Sequence, residues 1–290
     1  MNKNSFWLLA AAFFTSCVTV STRLTGGQYQ FFEIMMGKYL FISLITGSLM
    51  IYRKESFFPR NPILLILRCL FGVGSAVANT ILILKVPAAL SQAVNYTSSV
   101  WIVLILSFIT VPFSTKSLVA SFVPVIIGLT GIFIIFNPNL DRFSDVTFGI
   151  AVAYGLSSAL ASIFLRELGK RNESPLPVTF YFGISCLLLG VGFCVTFDSQ
   201  NLGLIFSDPL LYLITTFALF YQITRTIGWE FGNPFINSCL LFTGVPFVIA
   251  LGYLFLQELP GLTELLGISL IVASAFLSFG LQRRKSNSCE

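Results

Sequence analysis

Residues 7–24, WLLAAAFFTSCVTVSTRL, and residues 150–167, IAVAYGLSSALASIFLRE, are apolar runs of equal length that each reach an arginine one residue before the end. They stand 143 residues apart, and the offset holds along the chain: Arg23 falls on Arg166, Asn79 on Gln222 and Asn95 on Ser238. Ten apolar stretches follow one another, the first five matching the last five at that spacing. Five is an odd number, so a second copy crossing a membrane would enter it inverted relative to the first. The expected fold is an all-α membrane protein of ten transmembrane helices, arranged as two inverted five-helix repeats, 1–143 and 144–290, the second ending in a short cytoplasmic tail.

Composition supports the same class. The 290 residues are 56% hydrophobic and 10% charged, against about 25% charged in soluble proteins, and the mean hydropathy is +0.88. The apolar runs approach the roughly 20 residues that span a bilayer as helix and are too long and unbroken for barrel strands. In the first half they read as Phe6–Thr22, Phe31–Tyr52, Ile63–Leu84, Ala88–Thr110 and Ser117–Phe136. In the second they read as Thr147–Leu165, Val178–Phe197, Phe206–Ile223, Asn233–Leu256 and Leu262–Gly280. The connections are short, and prolines at 59, 62, 138, 175, 177, 209 and 260 fall in or beside them. Lys3 before an apolar run resembles a signal peptide, but the internal copy of that run at 148–165 argues for its retention.

Lysine and arginine set the expected orientation. With the amino terminus inside, Lys3, Arg53, Lys54, Arg60, Lys116, Arg166, Lys170, Arg171, Arg225, Arg283, Arg284 and Lys285 lie inside. Arg23, Lys85 and Arg142 lie outside, a bias of twelve to three. Both termini are therefore expected in the cytoplasm of a multi-pass protein of the cell (inner) membrane. The net charge of +5 forms no basic patch apart from the membrane ends, so nucleic acid is not an expected partner. Six scattered cysteines without a C-x-x-C pair, and no histidine, point to neither a disulfide framework nor a metal site, and no cofactor is expected.

Polar residues inside the apolar stretches are the site candidates. Lys38 lies about a third of the way into the second stretch, where an intramembrane lysine costs roughly 2.5–3.5 kcal/mol and is functional by default; snorkelling to the interface is the alternative. Arg68, in the third stretch, and Arg225, closing the eighth, could hold a carboxylate or phosphate or serve as interfacial anchors. Asn79, Asn95, Tyr96, Gln222, Asn237 and Ser238 could ring a central cavity or hydrogen-bond between helices. Tyr96, Trp101, Tyr154, Tyr181 and Tyr221 could line such a cavity with π-faces or simply pack. Pro124 and Pro246 interrupt their stretches, as gating helices and static kinks both do. Gly72, Gly74, Ser75, Ala76 and Ala78 read as a close-packing face rather than a nucleotide fingerprint.

The chain resembles the drug/metabolite transporter superfamily, and its EamA-type ten-helix branch in particular. The clearest carrier is FLQELPGLTELLGISLIV at 255–272, with Glu258 followed by a glycine-led apolar helix. Glu33 with Lys38, the Leu67-Arg68 pair and PAALSQA at 87–93 carry it in the first half. The chain departs from the pattern where Lys38 stands for the usual arginine and where Thr115 stands opposite Glu258. The resemblance implies a secondary transporter, monomeric or homodimeric, with a small-molecule substrate and the lipid bilayer as its partners. Around Arg68 it is most similar to carriers of S-adenosylmethionine that exchange it for S-adenosylhomocysteine; an amino acid or general metabolite exporter is the alternative. An enzyme is not expected, because histidine is absent and Asp141, Asp145, Asp198 and Asp208 all fall in connections. A structural membrane subunit would instead have its buried amides paired with one another. No ATP-binding motif is present, and no obvious proton relay, which leans toward exchange.

Overall fold

The computed structural model describes residues 6–110, 145–197, 202–205, 207–231, 240–241 and 243–286, with isolated positions between 123 and 134. Nine helices of more than one turn are described. In the first half they are α1 Trp7–Leu24, α2 Phe31–Arg53, α3 Pro62–Lys85 and α4 Ala88–Thr110. In the second they are α5 Asp145–Lys170, α6 Pro175–Thr196, α7 Pro209–Phe231, α8 Gly244–Leu256 and α9 Leu262–Ser286. A single helical turn, Leu202–Ile205, precedes α7. The stretch expected at 117–136 and the start of that at 233–256 lie outside the described residues, and with them Thr115, Pro124, Asn237 and Ser238. Among the described residues, six helices (α1, α2, α3, α5, α6, α7) are long and apolar enough to cross a membrane.

Local signals set the ends. The Gln30 N–H donates 2.8 Å to the Glu33 carboxylate at the start of α2, the backward half of a capping box. Glu33 is therefore a helix cap. Pro62 and Pro175 open α3 and α6, where a missing N–H costs nothing. Gly26 and Gly27, at φ +61° and +80°, make the reversal from α1 to α2 in a region that side chains disfavour.

The bundle has an apolar core and, unlike a soluble protein, an apolar outer surface as well. Ile51, Phe58, Ile63, Ile66, Leu70, Val195 and Leu254 are each more than half exposed. Thr15, Ser16, Thr19, Ser43, Thr46, Ser75, Thr80, Gln92 and Ser162 are buried. An apolar surface of this extent needs lipid around it. The buried hydroxyls satisfy themselves on the preceding turn, as in Ser43 to Tyr39 O (2.7 Å), Thr46 to Ile42 O (2.7 Å) and Thr80 to Ala76 O (2.8 Å). Most buried hydroxyls are satisfied in this way, with Ser91 Oγ and Thr97 Oγ1 as exceptions among the described residues.

One expected boundary moves. The eighth stretch was expected to close at Ile223, with Arg225 at the interface, but α7 runs to Phe231. Thr224-Arg225-Thr226 reads as a polar end, yet Thr224 bonds back to Phe220 O (2.6 Å) and Thr226 and Trp229 are buried. The helix continues because its next apolar residues still face the core.

The principal pairings join the first four helices to the later ones. α2 lies along α6, α3 along α5, and α1 along α7. α4 also packs on α5, α1 on α8, α2 on α7 and α3 on α6. α1 is thus part of the core, with Leu8, Ala11 and Ala12 fully buried. Two glycines permit the α2–α6 contact. At Gly47 an added Cβ would lie 2.9 Å from the Phe180 ring, and at Gly190 it would lie 2.9 Å from the Met36 backbone nitrogen. Gly190→Ala should therefore destabilise the protein by about 1–3 kcal/mol. Gly192→Ala, with nothing within 4 Å of the new atom, should not. Thermal melts of the detergent-solubilised variants check this, and equal midpoints for Gly190→Ala and the parent would refute it.

Candidate functional site

At about 1.5 Å per residue, Lys38 stands roughly 10 Å in from the start of α2, and Arg68 roughly 9 Å in from the start of α3. These consecutive helices run antiparallel, so the two cations enter the middle of the bundle from opposite ends. Neither snorkels: Lys38 is 7% exposed and Arg68 2%. Lys38 Nζ lies 4.7 Å from the centroid of the Tyr39 ring. Tyr39 meets Phe182 of α6 edge to face at 5.4 Å, and the Arg68 guanidinium lies 4.6 Å from the Phe182 centroid. The Cys186 thiol, near the middle of α6, sits within electrostatic reach of Lys38, Arg68 and Tyr39.

Arg225 joins this group from α7. It donates 2.8 Å to Ser162 Oγ on α5, lies 5.7 Å from the Tyr221 ring, and repels Arg68. Gly72 makes room for the Arg68 guanidinium, since a methyl group there would collide with Nη1 and with Phe182. Arg68 of α3 and Arg225 of α7 therefore share an interior walled by Phe182 and Tyr221, with Lys38 of α2 beyond the Tyr39 ring. Among the described residues none of the three forms an ion pair. Arg68 Nε and Nη1 and Arg225 Nε are sealed from solvent without a hydrogen-bond partner. Cation–π contacts return up to about 2 kcal/mol each, whereas burying an ion costs several. The cluster is therefore underpaired.

The carboxylates whose side chains are described are engaged elsewhere. Glu33 caps α2, Glu55 accepts from Ser174 Oγ (2.6 Å), and Glu167 pairs with Lys170 (2.9 Å). Tyr29 donates 2.8 Å to Asp208. Burial, with Asp208 beside it, pushes the Tyr29 phenol up to about 12, so it remains a donor at neutral pH.

The remaining candidates divide. Tyr154 is buried and lies within electrostatic reach of Tyr221, Arg225 and Tyr96, joining the edge of the cluster. Tyr96 is buried against Gly244 and accepts 2.8 Å from Gln92 Nε2, while Gln92 Oε1 accepts 3.0 Å from Thr19. Gln222 is buried, Asn79 and Asn95 are half-buried, and Asn237 lies outside the described residues. No described contact brings Asn79, Asn95 and Gln222 together. Trp101 packs over Gly155. Tyr181 is not central: its hydroxyl donates 2.5 Å to Phe57 O. Its ring lines a groove of about 490 Å³ between α3 and α6, with Leu65, Cys69 and Ser185.

The threonines on either side of Arg225 disguise its interior position in the sequence. Its spacing of four from Tyr221 was the available signal. Glu173 went unnoticed, since nothing in sequence marks a loop glutamate as a distant helix cap. It is buried and accepts from the Arg60 N–H (3.0 Å) and Asn61 N–H (3.1 Å), closing one end of the bundle at the start of α3. At the other end Glu258 accepts from the Ala88 N–H (3.0 Å) at the start of α4 and from Arg23 Nε (3.3 Å). Arg23 in turn donates 2.8 Å to Leu84 O. The left-handed backbone at Gln257 (φ +55°) turns Glu258 into this position.

No family model matches the chain, and no curated protein matches it. Among solved structures it is similar to a crystal structure of a protein with a TM-score of 0.68 and 15% identity, covering 97% of this chain and 96% of that one. At that identity the likeness concerns the fold alone.

Glu258→Ala should remove both the α4 cap and the Arg23 pair, costing about 1–2 kcal/mol. In a double-mutant cycle with Arg23→Ala, thermal or denaturant unfolding should read a coupling of several tenths of a kcal/mol. Strict additivity would show that the pair contributes nothing.

Proposed function

We propose that the chain is a secondary transporter that carries a small polar metabolite across a cell membrane by alternating access. It is built from two inverted five-helix halves, 1–143 and 144–290, with both termini in the cytoplasm, and it belongs to the EamA-type branch of the drug/metabolite transporters. The reading rests on one observation, the exchange symmetry of the helix pairings. At the 143-residue offset α1 corresponds to α5, α2 to α6, α3 to α7 and α4 to α8. The packing of α1 on α7 then matches that of α5 on α3, α1 on α8 matches α5 on α4, and α2 on α7 matches α6 on α3. The same offset superposes Tyr39 on Phe182, two rings that meet in the α2–α6 contact. This exchange symmetry supports two halves related by a two-fold axis, which five crossings per half would lay in the membrane plane. Lys38 and Arg68 rest on the rings of that contact, which supports a substrate site between the halves.

S-adenosylmethionine, exchanged for S-adenosylhomocysteine, is the substrate that the sequence resemblance suggests, with amino acids as the alternative; the underpaired buried arginines instead favour a metabolite with net negative charge. Reconstituted into proteoliposomes, the protein should take up its labelled substrate faster when substrate is present on the far side, and a protonophore should leave the rate unchanged. Arg68→Gln should lower uptake at least tenfold, in line with a lost charge-assisted hydrogen bond of about 1.5–3 kcal/mol. The absence of uptake across a panel of S-adenosylmethionine, amino acids and organic anions would overturn the transporter reading. Loss of accumulation on adding a protonophore would overturn exchange.

A further inference from the structure

We infer that Arg68 and Arg225 form a binding site for a compact anion, with Lys38 adding positive charge beyond the Tyr39 and Phe182 rings, so that the metabolite recognised here carries net negative charge as carboxylate or phosphate. This rests on the transporter reading for its biological sense, though the site itself is argued from geometry. The three side chains come from α2, α3 and α7, and a chain of ring contacts joins two of them: Lys38 on Tyr39, Tyr39 on Phe182, Phe182 on Arg68. Arg225, held by Ser162 and beside the Tyr221 ring, lies within electrostatic reach of Arg68 as a like charge.

Purely structural cations would be placed beside carboxylates or carbonyls. Here Arg68 makes no hydrogen bond among the described residues, and its Nε and Nη1 are closed off from water. Arg225 spends one nitrogen on Ser162 and leaves Nε unused and sealed. Unused, sealed guanidinium donors, those of Arg68 on a side chain 2% exposed, are vacant valences for an acceptor, and the acceptors that suit guanidinium are carboxylate and phosphate oxygens. Described carboxylates sit in caps and pairs near the helix ends and do not neutralise the cluster. One bound dianion would relieve the repulsion between Arg68 and Arg225 and satisfy their free donors together. The aromatic walls exclude competing water and strengthen each contact.

Charge also ranks ligands. A dianion should bind better than a monoanion, and a zwitterion worse than either. S-adenosylmethionine, whose sulfonium and ammonium outweigh its single carboxylate, meets three like charges and should bind least well. The Gly72 clearance makes the site specific to a guanidinium lying flat on Phe182.

The test is a binding titration on the full chain in detergent or nanodiscs, read by thermal shift and calorimetry. The probes are inorganic phosphate, succinate, alanine and S-adenosylmethionine. Saturable stabilisation by phosphate or succinate, and none by alanine, is expected. Arg68→Gln and Arg225→Gln should each weaken that binding at least tenfold. Both should melt no lower than the parent without ligand, because an underpaired charge has been removed. Arg171→Gln, at the exposed end of α5, should bind as the parent does. If a glutamine variant fails to fold, Arg68→Lys and Arg225→Lys keep the charge and should still lose several-fold in affinity. No stabilisation by either anion, or anion binding that survives all four substitutions, overturns the inference. Anion binding without transport would uphold the site and defeat the transporter reading. Transport of a zwitterion or cation without anion binding would do the reverse.

Discussion

The contact between α2 and α6 is the constraint from which the other positions follow. It forms because each helix carries a glycine where the other presents bulk: Gly47 opposite Phe180, and Gly190 opposite the backbone at Met36. Between apolar helices in lipid there is little hydrophobic drive, so association depends on how closely backbones approach. Once α2 and α6 lie together, Tyr39 and Phe182 meet between them. Those rings supply the faces on which Lys38 and Arg68 rest. The flanking pairs, α1 with α7 and α3 with α5, enclose this seam and bring Arg225 within reach of Ser162.

The interior that results is costly. Three cations without ionic partners among the described residues cannot be justified by stability, since cation–π contacts and one serine hydroxyl recover less than the desolvation of the charges. Proteins retain such groups where function needs them, and the surrounding packing must hold the strain. Gly72 makes the point locally. It yields helix propensity of about 1 kcal/mol relative to alanine in mid-helix, and the space gained is occupied by the Arg68 guanidinium.

Much of the fold was legible in the sequence, because apolar length is the strongest signal a membrane helix writes. The expected Ala88–Thr110 coincides with α4, and the spans of α1, α2, α3 and α6 differ by a few residues. The buried states of Lys38 and Arg68 could be anticipated only as alternatives, since snorkelling depends on which face of a helix a residue occupies. For Arg225 the sequence leaves anion binding and interfacial anchoring both open, because its polar neighbours mimic a helix end. The reality is a threonine bonded back to its own helix, Thr224 to Phe220 O. Tyr181 was grouped with the central tyrosines on composition alone, but its place on α6 turns it to the groove beside α3. Glu173 capping α3 joins residues more than a hundred positions apart, a relation that hydropathy does not encode.

The two ends of the bundle are closed by similar devices of unequal strength. Glu173 is 5% exposed and receives two backbone N–H groups, with the Asn61 amide at 3.4 Å beside them. Charge-assisted hydrogen bonds of this kind contribute about 1.5–3 kcal/mol each. Glu258 has a side chain 30% exposed and receives one backbone N–H and one arginine that is itself 28% exposed. Such a partly wet ion pair is screened and contributes roughly 0–1 kcal/mol. Separating the α8–α9 connection from α1 and α4 therefore costs less than separating the α5–α6 connection from the start of α3. On the proposed transporter reading, halves that rock against each other would part more readily at the Glu258 end.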